Sequence, residues 1–185
     1  MAVFQRFRRD SGGLAAVEFA LILPIAVAFL FGEFVLGEAL SISRKVSIAA
    51  RTVGDLVART NNGSITSAQL MTILNASAQI VAPFPANDTN NNPILSVVVA
   101  ELSTDGSGKT TVTWNKALNA TGLTNGAAFT PPTGVAQPNT SLIYTTVTYA
   151  YPLPVGQNIF GTSVPISNTF YMQPRTSAGI SCVGC

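Results

Sequence analysis

The sequence contains no histidine and has few charges, since only 10% of its 185 residues are charged. The absence of histidine excludes His-based acid–base catalysis, a Ser-His-Asp nucleophile and histidine metal ligands together. A Ser-Lys pair has no support either, because no nucleophile motif surrounds Lys109 or Lys116. The two cysteines cannot supply the four ligands of a structural zinc site by themselves. We therefore expect no enzymatic activity, no cofactor and no metal.

The few charges are concentrated near the N-terminus. Residues 1–60 carry seven basic and five acidic side chains, whereas the remainder carries three of each. The net charge of +2 therefore belongs to the N-terminal region, and the rest of the chain is neutral. Binding to nucleic acid needs a dense basic patch on the folded domain. We expect no nucleic-acid partner.

A long apolar run contains one acidic residue. From Leu14 to Gly32 the 19 residues include a single charge, Glu18, and a helix of this length roughly spans a bilayer core. An ionised glutamate inside a bilayer costs about 2.5 kcal/mol or more, so it is hydrated near the interface or has a partner. The helix itself offers no cation. Cleavage after Gly13 would create one, because Leu14 would then carry an α-ammonium four residues from Glu18, in the same chain or in a neighbouring copy.

The residues around this acid resemble a known family. Residues 13–24 read Gly-Leu-Ala-Ala-Val-Glu-Phe-Ala-Leu-Ile-Leu-Pro and follow a short basic leader. This pattern resembles the TadE/TadG-like pseudopilins of bacterial Tad (tight adherence) pilus systems. The resemblance implies cleavage by a prepilin peptidase between Gly13 and Leu14, with Glu18 setting helix register and Phe19 following the acid. Counting from Gly12 would place Val17 where the acid belongs, so Gly13 is the predicted residue before the cut.

The resemblance also implies a function and a location. It predicts a minor pilin or assembly factor that acts in pilus biogenesis, adhesion and biofilm formation. Its partners would be the prepilin peptidase, other pilins, Tad assembly proteins and the lipid bilayer. It would cross the bacterial inner membrane once, with the N-terminus in the cytoplasm and the head in the periplasm or on a surface pilus. The cluster of Arg6, Arg8 and Arg9 favours this orientation.

The apolar N-terminal run is open to two other interpretations. A secretory signal peptide would be cut near residues 37–39, where Gly-Glu-Ala is a faint cleavage site. An uncleaved signal anchor would instead carry an exported binding module, with the loop at 116–138 as its contact surface. The position of the N-terminus of the mature protein distinguishes all three.

The predicted organisation has four parts. Residues 1–13 form the basic leader, 14–37 the transmembrane helix, 38–60 its amphipathic continuation and 61–185 an α+β head. Pro24 should kink the long helix or free a carbonyl within it. Helix spacing further predicts ion pairs of Asp55 with Arg51 and with Arg59.

The head is predicted to contain one helix followed by an antiparallel sheet of about four strands. A capping box of Thr66 and Gln69 begins the helix, which ends near Ala82. Pro165 places the last strand at an edge or a bulge. The tyrosines near the end of the chain are interpreted as sheet packing. The strands are expected at 94–102, 109–115, 141–151 and 159–172, with a turn at 104–108 and a loop at 116–138.

Cys182 and Cys185 form a Cys-x-x-Cys pattern. In a reducing compartment the pair would be redox-active or half of a zinc site. An exported head favours a small disulfide loop, with an intermolecular disulfide as the alternative.

Overall fold

The computed structural model describes residues 12–154 and 161–185. Most of the predicted leader therefore lies outside the described residues. The chain begins with a 47-residue helix, α1 (Gly12–Ala58), and a short 3-10 turn follows at Asn61–Gly63. The other elements, in chain order, are β1 (Ser64–Thr66), α2 (Ser67–Val81), β2 (Leu95–Thr104), β3 (Thr110–Leu118), β4 (Ser141–Pro152), β5 (Ser163–Met172) and β6 (Ser181–Val183). The predicted α+β class is confirmed.

The chain divides into two compact units between Glu38 and Ala39. The first unit is helical in its described part, and every described side chain between Ala15 and Phe34 is exposed. Among the described residues, one helix is long and apolar enough to cross a membrane, and it lies near the N-terminus. α1 continues through Pro24, which lacks the N–H that would bond the carbonyl of Ala20. The helix nevertheless continues without interruption at Pro24, and a bend at this residue stays a prediction.

The second unit contains a four-stranded antiparallel sheet in the order β3-β2-β4-β5. β5 is an edge strand, as Pro165 predicted. β3 extends to Leu118, three residues beyond the predicted end, because residues 116–118 continue to pair with 97–99 of β2. The register of β2 and β3 shifts between Glu101 and Leu102. The predicted start of the last strand, at 159, lies outside the described residues.

One face of this sheet is covered by the C-terminal part of α1. Buried residues of the helix recur at steps of three and four, which places them on one stripe. They are Ile42, Val46, Ala49, Val53 and Val57. Gly54 allows close approach, because a Cβ atom there would lie 3.0 Å from the hydroxyl oxygen of Thr145 on β4. Full burial of a valine or isoleucine contributes about 1.5–3 kcal/mol, so this stripe is a main source of the head's stability.

The opposite face is partly covered by residues 119–140. Leu123 and Phe129 pack against a buried cluster that includes Leu102 and Leu142. The same segment hydrogen-bonds the outer edge of β3, where the Val112 N–H donates to the carbonyl of Ala127 over 3.0 Å. The loop predicted at 116–138 is therefore wrong at its start, which is strand, and much of the remainder packs on the sheet.

α2 begins as the sequence predicted. The Thr66 hydroxyl accepts a hydrogen bond from the Gln69 N–H, and the Gln69 side chain accepts one from the Thr66 N–H. This reciprocal capping satisfies two backbone donors that the helix cannot bond internally. Leu70, Leu74 and Val81 are fully buried on one face of α2.

A parallel pair of short strands joins the start of α2 to the end of the chain. Ser64 to Thr66 of β1 pair with Ser181 to Val183 of β6. The sequence does not predict this second sheet, because three-residue strands have no detectable periodicity and β1 and β6 are more than a hundred residues apart.

Asp55 makes one of the two predicted ion pairs and a second, unpredicted one. Its carboxylate lies 2.7 Å from Nε of Arg59 and 2.5 Å from Nη2 of Arg175. Arg51, the other predicted partner, lies over the ring of Phe170 on β5, with its guanidinium carbon 4.8 Å from the ring centre. The prediction of an Arg51–Asp55 pair is wrong, because Arg51 contacts Phe170 on the sheet and Asp55 pairs with Arg175, which follows β5.

Candidate functional site

The predicted processing residues lie at the start of α1. Gly13 is in the first turn, and a Cβ atom at this position would contact nothing within 4 Å. Leu14 follows it in the helical backbone. Glu18 and Phe19 are both exposed, Phe19 with 64% of its surface accessible. The backbone on either side of the predicted cut is thus helical and open at Gly13.

The spacing of Leu14 and Glu18 determines how close a new N-terminus at Leu14 would lie to the Glu18 carboxylate after a cut at Gly13. Four residues correspond to an axial rise of about 6 Å and to the same helix face. Side chains on a helix point back toward its N-terminus, so the Glu18 carboxylate extends toward the backbone nitrogen of Leu14. A new α-ammonium there would lie near this carboxylate in its own chain. A neighbouring copy shifted along the axis would offer the same pair of charges.

The surface around Glu18 is apolar. Val17, Leu21 and Ile22 each expose more than half of their side chains. Such a surface is unstable in water, and a bilayer or other apolar helices would cover it. The structure therefore places an acidic residue on a helix surface that is suited to lipid or to helix packing.

The head contains a buried acidic residue that was not predicted from the sequence. Glu101 is 4% exposed and lies at the register shift of β2. Its Oε1 atom accepts a hydrogen bond of 2.7 Å from the Ile180 N–H. Trp114, paired with Glu101 across β2 and β3, donates from its indole to the Ile180 carbonyl over 2.5 Å. The signal that could have revealed this residue is its position, because Glu101 continues the alternating apolar positions 95, 97 and 99 of the same strand.

The pKa of Glu101 is raised from its ordinary value. Burial is the main cause, because it penalises the charged carboxylate. Hydrogen bonds from the Ile180 N–H and from the side chains of Ser141 and Trp114 act in the opposite direction without cancelling it. Glu101 thus bonds the segment before β6 to the sheet, and burial of its carboxyl group favours the neutral form.

The C-terminal segment is fastened at several further points. The Arg175 N–H donates to the Ala58 carbonyl over 2.9 Å, and the Thr176 hydroxyl donates to the Thr60 carbonyl over 2.7 Å. Cys182 and Cys185 form a disulfide, with Cα atoms 5.6 Å apart. We call residues 173–185 the C-terminal strap. It joins the end of α1, the start of α2 and the sheet.

The hairpin between β2 and β3 has an acidic residue at its turn. The Asp105 carboxylate accepts hydrogen bonds from the hydroxyl and N–H of Ser107 and from the Lys109 N–H. These bonds, that of the Ser107 side chain foremost, lower the pKa of Asp105. Asp105 is therefore a turn residue, as its sequence context predicted.

A cleft of about 370 Å³ lies beside this turn. Lys109 contributes a charged side chain to its lining, and Phe129, Pro131 and Pro132 contribute apolar surface. Within the described parts of the chain, no three acidic or cysteine side chains come together in a group that could hold a metal ion.

Comparison with known proteins identifies the N-terminal segment. Residues 13–55 match the family model of TadE-like proteins. No curated protein and no solved structure gave a match. The resemblance carried by residues 13–24 is thus confirmed for a segment that runs from the predicted cut to Asp55. It indicates a protein related to Tad pili, and the apolar helix fits a single-pass membrane anchor.

Proposed function

We propose that this chain, whose residues 13–55 are TadE-like, is a minor pilin or an assembly factor of a Tad-type pilus. In this proposal a prepilin peptidase removes residues 1–13, α1 anchors the product in the inner membrane, and the head lies in the periplasm or on the fibre. Adhesion and biofilm formation would follow from pilus assembly. The observation that carries the proposal is the match that begins at Gly13, with Glu18 five residues later on an exposed apolar helix.

The role of Glu18 follows from charge. An apolar surface of α1 can pack against lipid or another helix in many axial positions, since such contacts are not directional. A carboxylate that must meet an ammonium at the same depth removes this freedom, because leaving it unpaired in the bilayer costs about 2.5 kcal/mol or more. Glu18 would therefore fix the axial register of the subunit as it enters the assembly.

The cleavage is tested by co-expressing the full chain with the prepilin peptidase of a Tad system and determining the mature N-terminus by mass spectrometry. We expect a start at Leu14. Gly13→Arg should block cleavage, whereas the matched variant Gly12→Arg should still be cut after Gly13. A mature protein that begins at Met1 or near residue 38 contradicts the proposal.

The assembly role is tested with a second matched pair. Glu18→Ala should leave cleavage intact and strongly reduce pilus assembly, measured by electron microscopy and by recovery of sheared fibres. Glu33→Ala removes another acid from the same helix and should have a much smaller effect. Equal assembly in the Glu18 variant and the unmodified chain would remove the register role.

A second candidate function is an uncleaved anchored module that binds a ligand through its head. The cleft between the Asp105 turn and residues 128–136 is the observation that favours it. This function predicts an intact leader and no effect of Glu18→Ala. The N-terminal mass measurement separates the two functions directly.

A further inference from the structure

The disulfide of the C-terminal strap encloses very little chain. Cys182 and Cys185 are three residues apart, with Val183 and Gly184 between them. A disulfide stabilises a fold mainly by restricting the unfolded chain, and this restriction grows with the number of residues enclosed. The bond also joins no separate elements, because Cys182 lies in β6 and Cys185 closely follows that strand. It therefore adds little to the global stability of the head, and its role is local.

The strand that carries this disulfide, β6, is held by a short pairing. Its residues pair with the three residues of β1, and the Ser181 hydroxyl adds a hydrogen bond of 3.2 Å to the Gly63 carbonyl. A pair of strands this short is marginally stable by itself. The preceding residue is held separately, because the Ile180 N–H donates to Glu101 and the Ile180 carbonyl accepts from Trp114. β6 can therefore leave β1 without releasing Ile180 from the sheet.

The disulfide prepares β6 for this pairing. The closed ring restricts the backbone from Cys182 to Cys185, and Gly184 supplies the left-handed conformation within it, with a φ of 80°. Without the ring, these residues regain backbone freedom that they must lose each time β6 pairs with β1. The ring thus lowers the entropic cost of a pairing that returns few hydrogen bonds.

The surroundings of the two sulfurs favour thiol–disulfide exchange. Cys185 is exposed and Cys182 is half-buried, so an external thiolate has better access to Cys185. The ring also lies at the start of α2, because a Cβ atom at Gly184 would be 3.8 Å from Cβ of Ser67, the first residue of that helix. The N-terminus of a helix carries partial positive charge, which favours a thiolate released beside it.

We propose that Cys182 and Cys185 form a thiol–disulfide exchange site whose substrate is an external thiol, and that reduction detaches β6 from β1. A thiolate attacks Sγ of Cys185 and forms an S–S bond with it, while the bond between the two cysteines breaks. The electron pair of that bond stays on Sγ of Cys182, which takes a proton from water. A second external thiolate attacks the sulfur of the first and releases Cys185, which is protonated in turn. The protein thus gains the two electrons and two protons that the external thiols lose as they form a disulfide.

This exchange changes a defined part of the head. With the ring open, the pairing of β6 no longer repays the ordering of its residues, and the strand detaches. The edge of β1 and the start of α2 then become accessible, while Glu101 and Trp114 still hold Ile180. The inference concerns the head alone and does not depend on cleavage after Gly13.

The exchange is tested on the full chain in detergent micelles with reduced glutathione, a small monothiol, in millimolar excess. Free thiols are blocked with N-ethylmaleimide at successive times, and tandem mass spectrometry locates glutathione and maleimide on the two cysteines. We expect glutathione on Cys185 and maleimide on Cys182 in the first product, followed by maleimide on both. A disulfide that stays intact until denaturant unfolds the head overturns the proposal. So does a first product that carries glutathione on Cys182.

The detachment is measured by amide hydrogen exchange of the oxidised and reduced chains. We expect the amides of β1 and β6 to exchange at least about tenfold faster after reduction, and those of β2 to β5 to be unchanged. Trp114 emission should stay the same, because Ile180 keeps its bonds. The double variant Cys182→Ser with Cys185→Ser should exchange like the reduced chain, with or without glutathione.

Two outcomes of this comparison overturn the proposal. Equal protection of β6 in the oxidised and reduced chains would show that the disulfide does not control the pairing. Unfolding of the sheet on reduction or in the double variant, reported by Trp114 emission, would show that the disulfide is a structural bond of the whole head.

Discussion

Removal of the Glu101 carboxylate should loosen the C-terminal strap. Glu101→Ala leaves the buried Ile180 N–H without its acceptor. An unsatisfied buried donor costs about 1–3 kcal/mol, which for a chain of this size corresponds to a fall in melting temperature of roughly 2–12 °C. Glu101→Gln keeps an oxygen acceptor in the same place and should cost less.

Glu101 should also make stability depend on pH with a definite sign. Because burial raises its pKa in the folded state above the ordinary value of 4.5, the folded protein retains this proton to higher pH than the unfolded chain. The stability that the protonated acid contributes is complete below pH 4.5 and is lost as pH rises through the raised pKa. Glu101→Gln should lack this loss.

Trp114 makes the assay direct. It is the single tryptophan of the chain, is 4% exposed and donates to the strap at Ile180. Denaturant titrations of the full chain in detergent, followed by tryptophan emission at several pH values, give the free energy of unfolding of each variant. Parallel pH profiles for the unmodified chain and Glu101→Gln would refute the reasoning, because the acid would then titrate alike in both states.

Three further predictions concern the head. Gly54→Val should destabilise by about 1–3 kcal/mol in denaturant titrations, because its side chain meets the Thr145 hydroxyl; unchanged stability would show that α1 can move away from the sheet. Asp55→Ala should cost less than about 1 kcal/mol, because Arg175 is largely exposed, and high salt should reduce this difference further. Asp105→Ala should destabilise the head at pH values above the lowered pKa of Asp105, and it should have no effect on stability in acid, where this carboxyl group is protonated. Melting curves at several pH values would show this change, and a destabilisation that is the same at every pH would contradict the turn role.

The elements of the head were largely predictable because their signals are local. The capping box of Thr66 and Gln69 fixes where α2 begins, and Asp105 with its neighbouring glycines fixes the hairpin turn. Pro165 correctly indicated an edge strand. The errors involve distant partners: Arg51 stacks on Phe170, and β1 pairs with β6.

The candidate assembly site at the N-terminus was also predictable, because it is contiguous. Gly13, Leu14, Glu18 and Phe19 lie within two turns of one helix, and their spacing alone defines which residues share a face. The group formed by Glu101, Trp114 and Ile180 was not predicted, for the opposite reason. These residues come from β2, β3 and the C-terminal strap, and no spacing in the sequence connects Glu101 with Ile180.

The sequence by itself determined the anchor, because hydrophobicity and helix spacing act along a single segment. It also determined the capped second helix and the strand-rich C-terminal half. Only the tertiary structure decided which acid is buried, which distant arginine joins Arg59 at Asp55 and which outer edge of the sheet the chain's own loop covers. These outcomes depend on strand order and register, which bring together backbone and side-chain groups that the sequence keeps far apart.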